Sequence, residues 1–344
     1  MTAHPPGSGG TTIYSVADAA GVSIATVSRV LQGSSAVSER TRGKVLEAID
    51  RLDYMPVAAA RSLAVRQHEA LGLVLPELGG PYFSELLMGF EEAAAALDLS
   101  VVLALVEDDR PLDGPRVTRL AAGVDGVAVL GGLLSEDVLR RASRHKPVLV
   151  LAGRASDGIE HFAAENTASA AELTAHLLDD HGRTRPVFAG LPDVAPDVRA
   201  RFEGFAAALA ERGLAVPEPL GGGLRESDGA ALAEQLLAAG PLPDAVVCAN
   251  DEIALALVER LTAAGVRVPD DLAVTGWDDV MAARYVRPGL TTVRQPVREL
   301  GALAARRLHE RVTGAEPGDP GVLATRVVVR GSCGCPEPSR TVSP

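Results

Sequence analysis

Ala20-Gly21-Val22-Ser23-Ile24-Ala25-Thr26-Val27-Ser28-Arg29-Val30-Leu31 decides how the first part of this chain folds. Gly21 stands where a left-handed residue is wanted, between the end of one helix and the start of the next. Ser23 precedes the helical run Ile24 to Leu31, and its hydroxyl can accept a bond from an unpaired amide of the first turn. Ser15 before Val16 to Ala20 and Ser38 before Glu39 to Leu52 are read the same way, which makes three short helices. Ala17, Ala20, Val22, Val27, Val30, Leu31, Val45, Leu46 and Ile49 recur at helical spacing and are expected to form one small core. Two short helices around a Gly-containing turn, braced by a third, make a helix-turn-helix head.

With its apolar side inward, the second helix exposes Ile24, Ala25, Thr26, Ser28 and Arg29. In such a head the start of this helix enters the major groove of DNA, while hydroxyls such as Ser23, Thr26 and Ser28 meet phosphates. Arg29 is the candidate base reader, because a guanidinium pairs bidentately with guanine. Ile24 and Ala25 offer apolar contact, for example to a thymine methyl. From spacing alone, Arg29 reads equally as a phosphate contact or a solvated surface charge.

The net charge of −12 speaks at first against a nucleic-acid partner. It is unevenly spread. Residues 11 to 66 carry seven basic and five acidic side chains, a net of +2, leaving 26 basic and 40 acidic, a net of −14, in the rest. A mildly basic head on an acidic body suits a DNA-binder whose body is repelled by phosphate.

After Tyr54 the run Met55-Pro56-Val57-Ala58-Ala59-Ala60-Arg61-Ser62-Leu63-Ala64 favours a short helix opened by Pro56. A segment this short is marginal alone in water, so it reads as a hinge or linker over 56–68. Residues 1–10 are Gly, Pro and Ser with no apolar stretch, expected as a disordered tail and not as an export signal. The helix-turn-helix domain then occupies 11–55, and an effector-binding and dimerisation domain 69–344.

From Leu71 the pattern changes to alternating strands and helices. Strand-like runs fall at 71–75, 101–106, 126–130, 147–151, 186–190, 245–249 and 272–277. The helices between them are amphipathic, with Leu86, Phe90, Ala93 and Leu97 on one face of the first, and Ile253, Leu257, Leu261 and Ala264 on one face of a later one. The alternation predicts an α/β body of parallel sheets, built as two successive sets of about four units with a ligand cleft between two similar lobes. Ligands in such sheets bind beyond the carboxyl ends of strands. That rule singles out Pro76 to Phe83, Ala152-Gly153-Arg154, Asn250-Asp251, Asp278-Asp279, and Arg199 and Arg201 after Pro196. Asn, Asp and Arg converging on a cleft suit a hydroxyl-rich ligand. Asn250, Asp251, Asp278 and Asp279 are equally at home as helix caps, and Arg201 as a plain surface charge.

These stretches closely resemble the lac-repressor (LacI/GalR) family. In the head the resemblance runs through Thr12-Ile13-Tyr14-Ser15-Val16-Ala17, the stretch 20–31, Val37-Ser38-Glu39-Arg40-Thr41-Arg42 and Ala59-Ala60-Arg61-Ser62-Leu63. In the body it runs through Arg201-Phe202-Glu203-Gly204-Phe205, Ala249-Asn250-Asp251, Val268-Pro269-Asp270-Asp271-Leu272 on to Trp277-Asp278-Asp279, and Val329-Arg330-Gly331-Ser332. It implies a homodimer on a near-palindromic double-stranded DNA operator, with a sensor like the periplasmic sugar-binding proteins. Ile24, Ala25 and Arg29 align with major-groove readers. Ala60 and Leu63 align with a hinge helix whose Leu wedges into the minor groove. Arg201, Asn250 and Asp278 fall on effector-contacting positions, with Tyr82 and Phe83 on a wall of the pocket. Leu224 stands where several members place an aromatic that stacks on the ligand, which turns the expectation towards a sugar, with a purine or nucleoside and a sugar phosphate as the alternatives.

Other classes find little support. There is no G-x-S-x-G elbow, no G-x-x-x-x-G-K-[ST] loop and no H-E-x-x-H, and Gly221-Gly222-Gly223 reads as a turn. No enzyme activity, cofactor or metal is expected. The seven histidines are spread along the chain. Cys333-Gly334-Cys335 has the wrong spacing for a zinc knuckle, no second Cys or His pair in the sequence answers it, and it reads as incidental. Three cysteines, no membrane-length apolar run and no export signal together predict a cytoplasmic protein.

Overall fold

The computed structural model describes residues 11–31, 36–54, 68–106, 114–153, 158–318 and 320–336. It divides into two compact units, Met1–His68 and Glu69–Pro344. The expected tail, the hinge residues Ala60 and Leu63, and Arg154 lie outside the described residues.

In the first unit, helices α1 (Ile13–Ala20), α2 (Ile24–Leu31) and α3 (Glu39–Arg51) surround a core of Val16, Ala17, Ala20, Val27, Val30, Val45, Ala48 and Tyr54. Gly21 closes α1 at φ 64°, a conformation that costs glycine nothing. The first cap differs from expectation. Thr12 is the N-cap of α1, and Ser15 sits inside the first turn, where its hydroxyl answers the Thr12 amide in a reciprocal capping box. Ser23 and Ser38 do accept first-turn amides, from Thr26 and Thr41. Leu46, expected in the core, is half exposed, and Ala48 and Tyr54 fill the space instead.

The second unit starts with β1 (Ala70–Leu75), α4 (Gly80–Ala95), β2 (Ser100–Leu105), α5 (Gly114–Ala122), β3 (Gly126–Leu130), α6 (Glu136–Ser143), β4 (Val148–Leu151) and β5 (Glu160–Ala164). It continues with α7 (Thr167–Asp179), β6 (Pro186–Ala189), α8 (Pro196–Glu211), α9 (Glu226–Ala239), β7 (Ala245–Cys248), α10 (Asp251–Ala263) and β8 (Ala273–Thr275). A 3-10 turn at Met281–Arg284, β9 (Thr292–Arg294), α11 (Val297–Val312), β10 (Gly321–Leu323), β11 (Arg326–Val328) and a 3-10 turn at Gly331–Cys333 complete it.

Two parallel sheets result. One has the order β10-β5-β4-β3-β1-β2, the other β6-β7-β8, and β9 pairs antiparallel with β11. Strands β1 and β4 are buried throughout, as their unbroken apolar sequences demand.

The two lobes are not successive in sequence, contrary to expectation. The chain passes from the first sheet to the second core at 164–167, returns at 294–297 to lay α11 and β10 on the first, and leaves again at 323–326. Strand periodicity identifies elements but carries no information on which sheet each one joins. The return is tight: a Cβ on Gly89 of α4 would come within 1.9 Å of the Arg298 carbonyl oxygen, and one on Gly301 of α11 within 2.1 Å of the Leu86 oxygen. Paired glycines thus let the two helix backbones touch.

Candidate functional site

On the head, Ser23, Ile24, Ala25 and Arg29 are exposed, while Thr26 and Ser28 are half-buried. The Thr26 hydroxyl is 2.9 Å from that of Ser23, so these two groups brace the start of α2 as well as facing outward. Tyr14 of α1 and Arg40 of α3 are exposed too, and Tyr14 was not singled out by the sequence argument. Ile24 is 40% exposed, an apolar side chain at the surface of the head.

In the second unit the ends of β1, β6, β7 and β8 bring together most of the expected residues. Arg201, on the second turn of α8, is not a surface charge. Its Nε donates to Asn166 Oδ1 at 2.8 Å, its Nη1 to the Ala249 carbonyl at 2.6 Å, and its guanidinium lies 4.7 Å from the centroid of the Trp277 ring. No bond among the described residues uses Nη2. Asn166 completes its own geometry by donating to the Ala164 carbonyl. Glu165 takes over the capping of α7 through the Ala168 and Ser169 amides.

Tyr82 is half-buried on the first turn of α4, edge-to-face with Phe83 at 5.4 Å between centroids. Burial, with the carboxylates of Asp197 and Asp278 nearby, pushes its phenol far above the usual tyrosine range, against the pull of Arg201. Asp278 is pushed up to about 7 by burial and by the charges of Glu252 and Asp197. Arg201 and a 2.5 Å bond from Gln295 Nε2 oppose that shift. Tyr82, Asp197, Arg201 and Asp278 therefore form one electrostatic cluster. A groove of about 530 Å³ opens beside it; Tyr82, Asp278, Gln295 and Arg294 line it, and Arg201 and Asn250 do not.

Asn250 caps α10, accepting from the Ile253 amide, and donates to the Leu224 carbonyl at 2.7 Å. Leu224 itself packs against the second core. The expectation that Asp278 and Asp279 act as caps fails, because the 3-10 turn that follows them is led by Val280. Asp278 takes a backbone φ of 114°, with its amide bonded to the Val293 carbonyl and its carboxylate accepting from Gln295. Asp279 is buried among arginines: Arg330 and Arg294 bond to it directly and Arg284 lies 3.6 Å away. Asp251, fully buried at the start of α10, holds β9 and the 3-10 turn through Thr292 Oγ1 and the Val280 amide. Burial raises its carboxyl well above the usual range.

Asn166, Asp197 and Gln295 were missed as site residues. The signal for Asn166 was its place at a strand end, Asp197 offers only an acidic residue in the first turn of its helix, and Gln295 carries none. The Cys333-Gly334-Cys335 stretch, set aside because nothing in sequence answers it, faces His176 and His181.

Among the described residues no helix is long and apolar enough to cross a membrane. Residues 12–57 match the model of the bacterial regulatory proteins of the lacI family, and residues 174–333 match that of the periplasmic binding protein-like domain. The chain is 36% identical to the catabolite control protein A of Streptococcus mutans over 306 residues, 86% of this chain and 90% of that protein. It is similar in structure to the lac repressor dimer bound to operator and the anti-inducer ONPF, with a TM-score of 0.83 and 27% identity over 94% of this chain and 99% of that one. It is also similar to the transcriptional regulator CelR in complex with cellobiose, with a TM-score of 0.67 and 31% identity over the same shares. The chain belongs to the lacI family of bacterial transcriptional regulators.

Proposed function

We propose that this protein binds a near-palindromic operator as a homodimer in the cytoplasm and releases or tightens its grip when a neutral sugar enters the body. Ser23, Ile24, Ala25, Thr26, Ser28 and Arg29 carry the DNA contacts of the head, with Ala60 and Leu63 in the hinge. Tyr82, Phe83, Arg154, Arg201, Asn250 and Asp278 carry the effector contacts. No catalytic residue is assigned.

The observation that supports the effector reading best is the groove of about 530 Å³ lined by Tyr82, Asp278 and Gln295, where Tyr82 and Asp278 also feel the charges of Asp197 and Arg201. Carboxylates accept from sugar hydroxyls, a guanidinium donates to them, and an aromatic edge covers the apolar side of the ring. The indole N–H of Trp277, buried without a hydrogen-bond partner among the described residues, is a further donor for a bound hydroxyl or water. Leu224, half-buried and packed against a core, offers no ring for a purine to stack on. The complex of CelR with cellobiose supports the same class.

A ligand regulates only by binding two states unequally, and closure of the lobes over the cleft supplies the second state. The test is operator selection from a random DNA pool with the full-length protein, then binding to the selected operator across a panel of sugars, purines and sugar phosphates. Enrichment of paired half-sites, with one neutral sugar shifting operator affinity, is the expected outcome. A pool with no enrichment overturns the DNA reading, and a response confined to purines or phosphates overturns the sugar.

A further inference from the structure

The second unit carries a cluster of side chains that neither DNA nor effector binding uses. His176 lies on the last turn of α7, His181 just beyond its end, and Cys333 and Cys335 on the closing segment of the chain. One donor atom from each of the four falls within 4.8 Å of the other three. His176 Nε2 is 3.2 Å from His181 Nε2, 3.4 Å from Cys333 Sγ and 3.6 Å from Cys335 Sγ, while Cys335 Sγ is 3.3 Å from His181 Nε2.

Hydrogen bonding cannot account for this crowding. A ring nitrogen offers one donor or one acceptor, and His176 Nε2 faces three partners at bonding distance. Four of the six separations, 3.2–3.6 Å, come close to another geometry, and all six lie within 4.8 Å. Zinc bonds of roughly 2.0–2.1 Å to nitrogen and 2.3 Å to sulfur, set tetrahedrally, place the ligand atoms about 3.3–3.8 Å apart. We infer that His176, His181, Cys333 and Cys335 bind one zinc ion in a closed, four-coordinate structural site.

The surroundings are built for it. The other nitrogen of His176, Nδ1, is 2.6 Å from Asp180 Oδ2, the carboxylate partner that fixes a ligating imidazole with Nε2 free for a metal. The Thr291 hydroxyl, 3.2 Å from Cys333 Sγ, can donate to a thiolate. Gly334 takes φ +117°, which turns the chain so that both cysteines face the same way. A Cβ there would meet the His181 ring at 2.9 Å. The site would pin the closing segment to α7. That segment also carries Ser332, bonded to the Val274 carbonyl and the Thr291 amide, and follows directly on Arg330, the buried partner of Asp279. With every position filled by protein, the ion has no open coordination site and its role is to hold the fold.

The test is metal analysis of the full-length protein purified without a histidine tag. About one zinc per chain is expected, falling to background in Cys335→Ser and in His181→Ala. Asp180→Ala, which keeps all four ligands, should weaken zinc affinity about 10–100-fold. A chelator should lower the melting temperature of the native protein and leave that of Cys335→Ser unchanged. Cobalt(II) added to metal-free native protein, which needs no variant to fold, should give the intense visible bands of a tetrahedral thiolate site. Background metal with no cobalt spectrum overturns the inference. So does a Cys333–Cys335 disulfide found by mass spectrometry in protein isolated without oxidation, or zinc retained in full by both ligand variants.

Discussion

The guanidinium carbon of Arg201 lies 4.7 Å from the centroid of the Trp277 ring, inside a site where the same side chain also ties Asn166 to the Ala249 carbonyl. The arginine comes from α8, the tryptophan and Ala249 from the ends of β8 and β7, and Asn166 from the crossing between the lobes. A cation over an aromatic face and two fixed bonds leave the charged head little freedom. It is held in place before any ligand arrives, which lowers the ordering cost of binding.

Arg201→Ala should therefore abolish the effector response while the head still binds DNA. A charge-assisted hydrogen bond is worth about 1.5–3 kcal/mol, so effector affinity should fall roughly 10–150-fold. Arg201→Lys should rescue little, since an ammonium cannot serve Asn166, Ala249 and a ligand from one plane. Calorimetry with the effector and anisotropy with the operator separate the two losses. An Arg201→Ala protein with unchanged effector affinity would remove Arg201 from the site.

Asp278 predicts a pH dependence. Its carboxyl is pushed up to about 7, so near neutrality it is only partly ionised. Because the folded-state value is raised, its contribution to stability is present at low pH and fades as pH rises through 7. Ligand hydroxyls that donate to the carboxylate favour the opposite, ionised form. Effector affinity should then increase about tenfold from pH 6 to pH 8, and Asp278→Asn should bind more weakly with a flat profile. A native profile that falls across the same range would mean that the neutral acid is the form that binds.

Asp279, next in sequence, should behave differently. It is buried with Arg330 and Arg294 bonded to it, and Arg330 is itself buried. Asp279→Ala leaves a buried guanidinium without its counter-charge, a loss of about 3–5 kcal/mol. Removing both buried charges with Asp279→Leu and Arg330→Met should cost much less, because the remaining partners, Arg294 and Arg284, are exposed enough to be solvated. Thermal or urea unfolding of both single variants and the double variant decides it, and a double loss equal to the sum of the two single losses would show that the pair is not coupled.

These two neighbours also show how far the sequence could be read. Asp278 and Asp279 both looked like caps or ligands, and nothing in the order of residues separates them. Only the fold reveals that, beside a groove both residues line, Asp278 accepts from Gln295 while Asp279 is bonded by arginines 15 and 51 residues further on. The long apolar strands were legible to within one residue in β1, β2, β3 and β4. Glu160–Ala164 was not, because it opens on a charged and a titratable residue yet is buried throughout, with Glu160 paired to Arg307. The three-residue strands β9, β10 and β11 are too short to show a period. His176 and Cys333 lie 157 residues apart, a distance across which spacing says nothing about contact.

The head offers a prediction that separates reading from gripping. Arg29 is exposed on α2 beside the exposed Ser23, Ile24 and Ala25, and Leu63 is the wedge residue proposed above. If Arg29 pairs bidentately with a guanine, Arg29→Ala should cost about 1–3 kcal/mol on the selected operator and relax the preference at one base position in each half-site. If it contacts phosphate, the loss should be uniform across sequences and should lower the salt dependence of binding. Leu63→Ala should weaken specific binding far more than nonspecific binding, because an apolar wedge acts only where the duplex is opened for it. Operator and random DNA titrated at two salt concentrations distinguish all three outcomes. Equal losses on the two DNAs for Leu63→Ala would refute the wedge, and an unchanged base preference for Arg29→Ala would leave Ile24 and Ala25 as the direct readers on this helix.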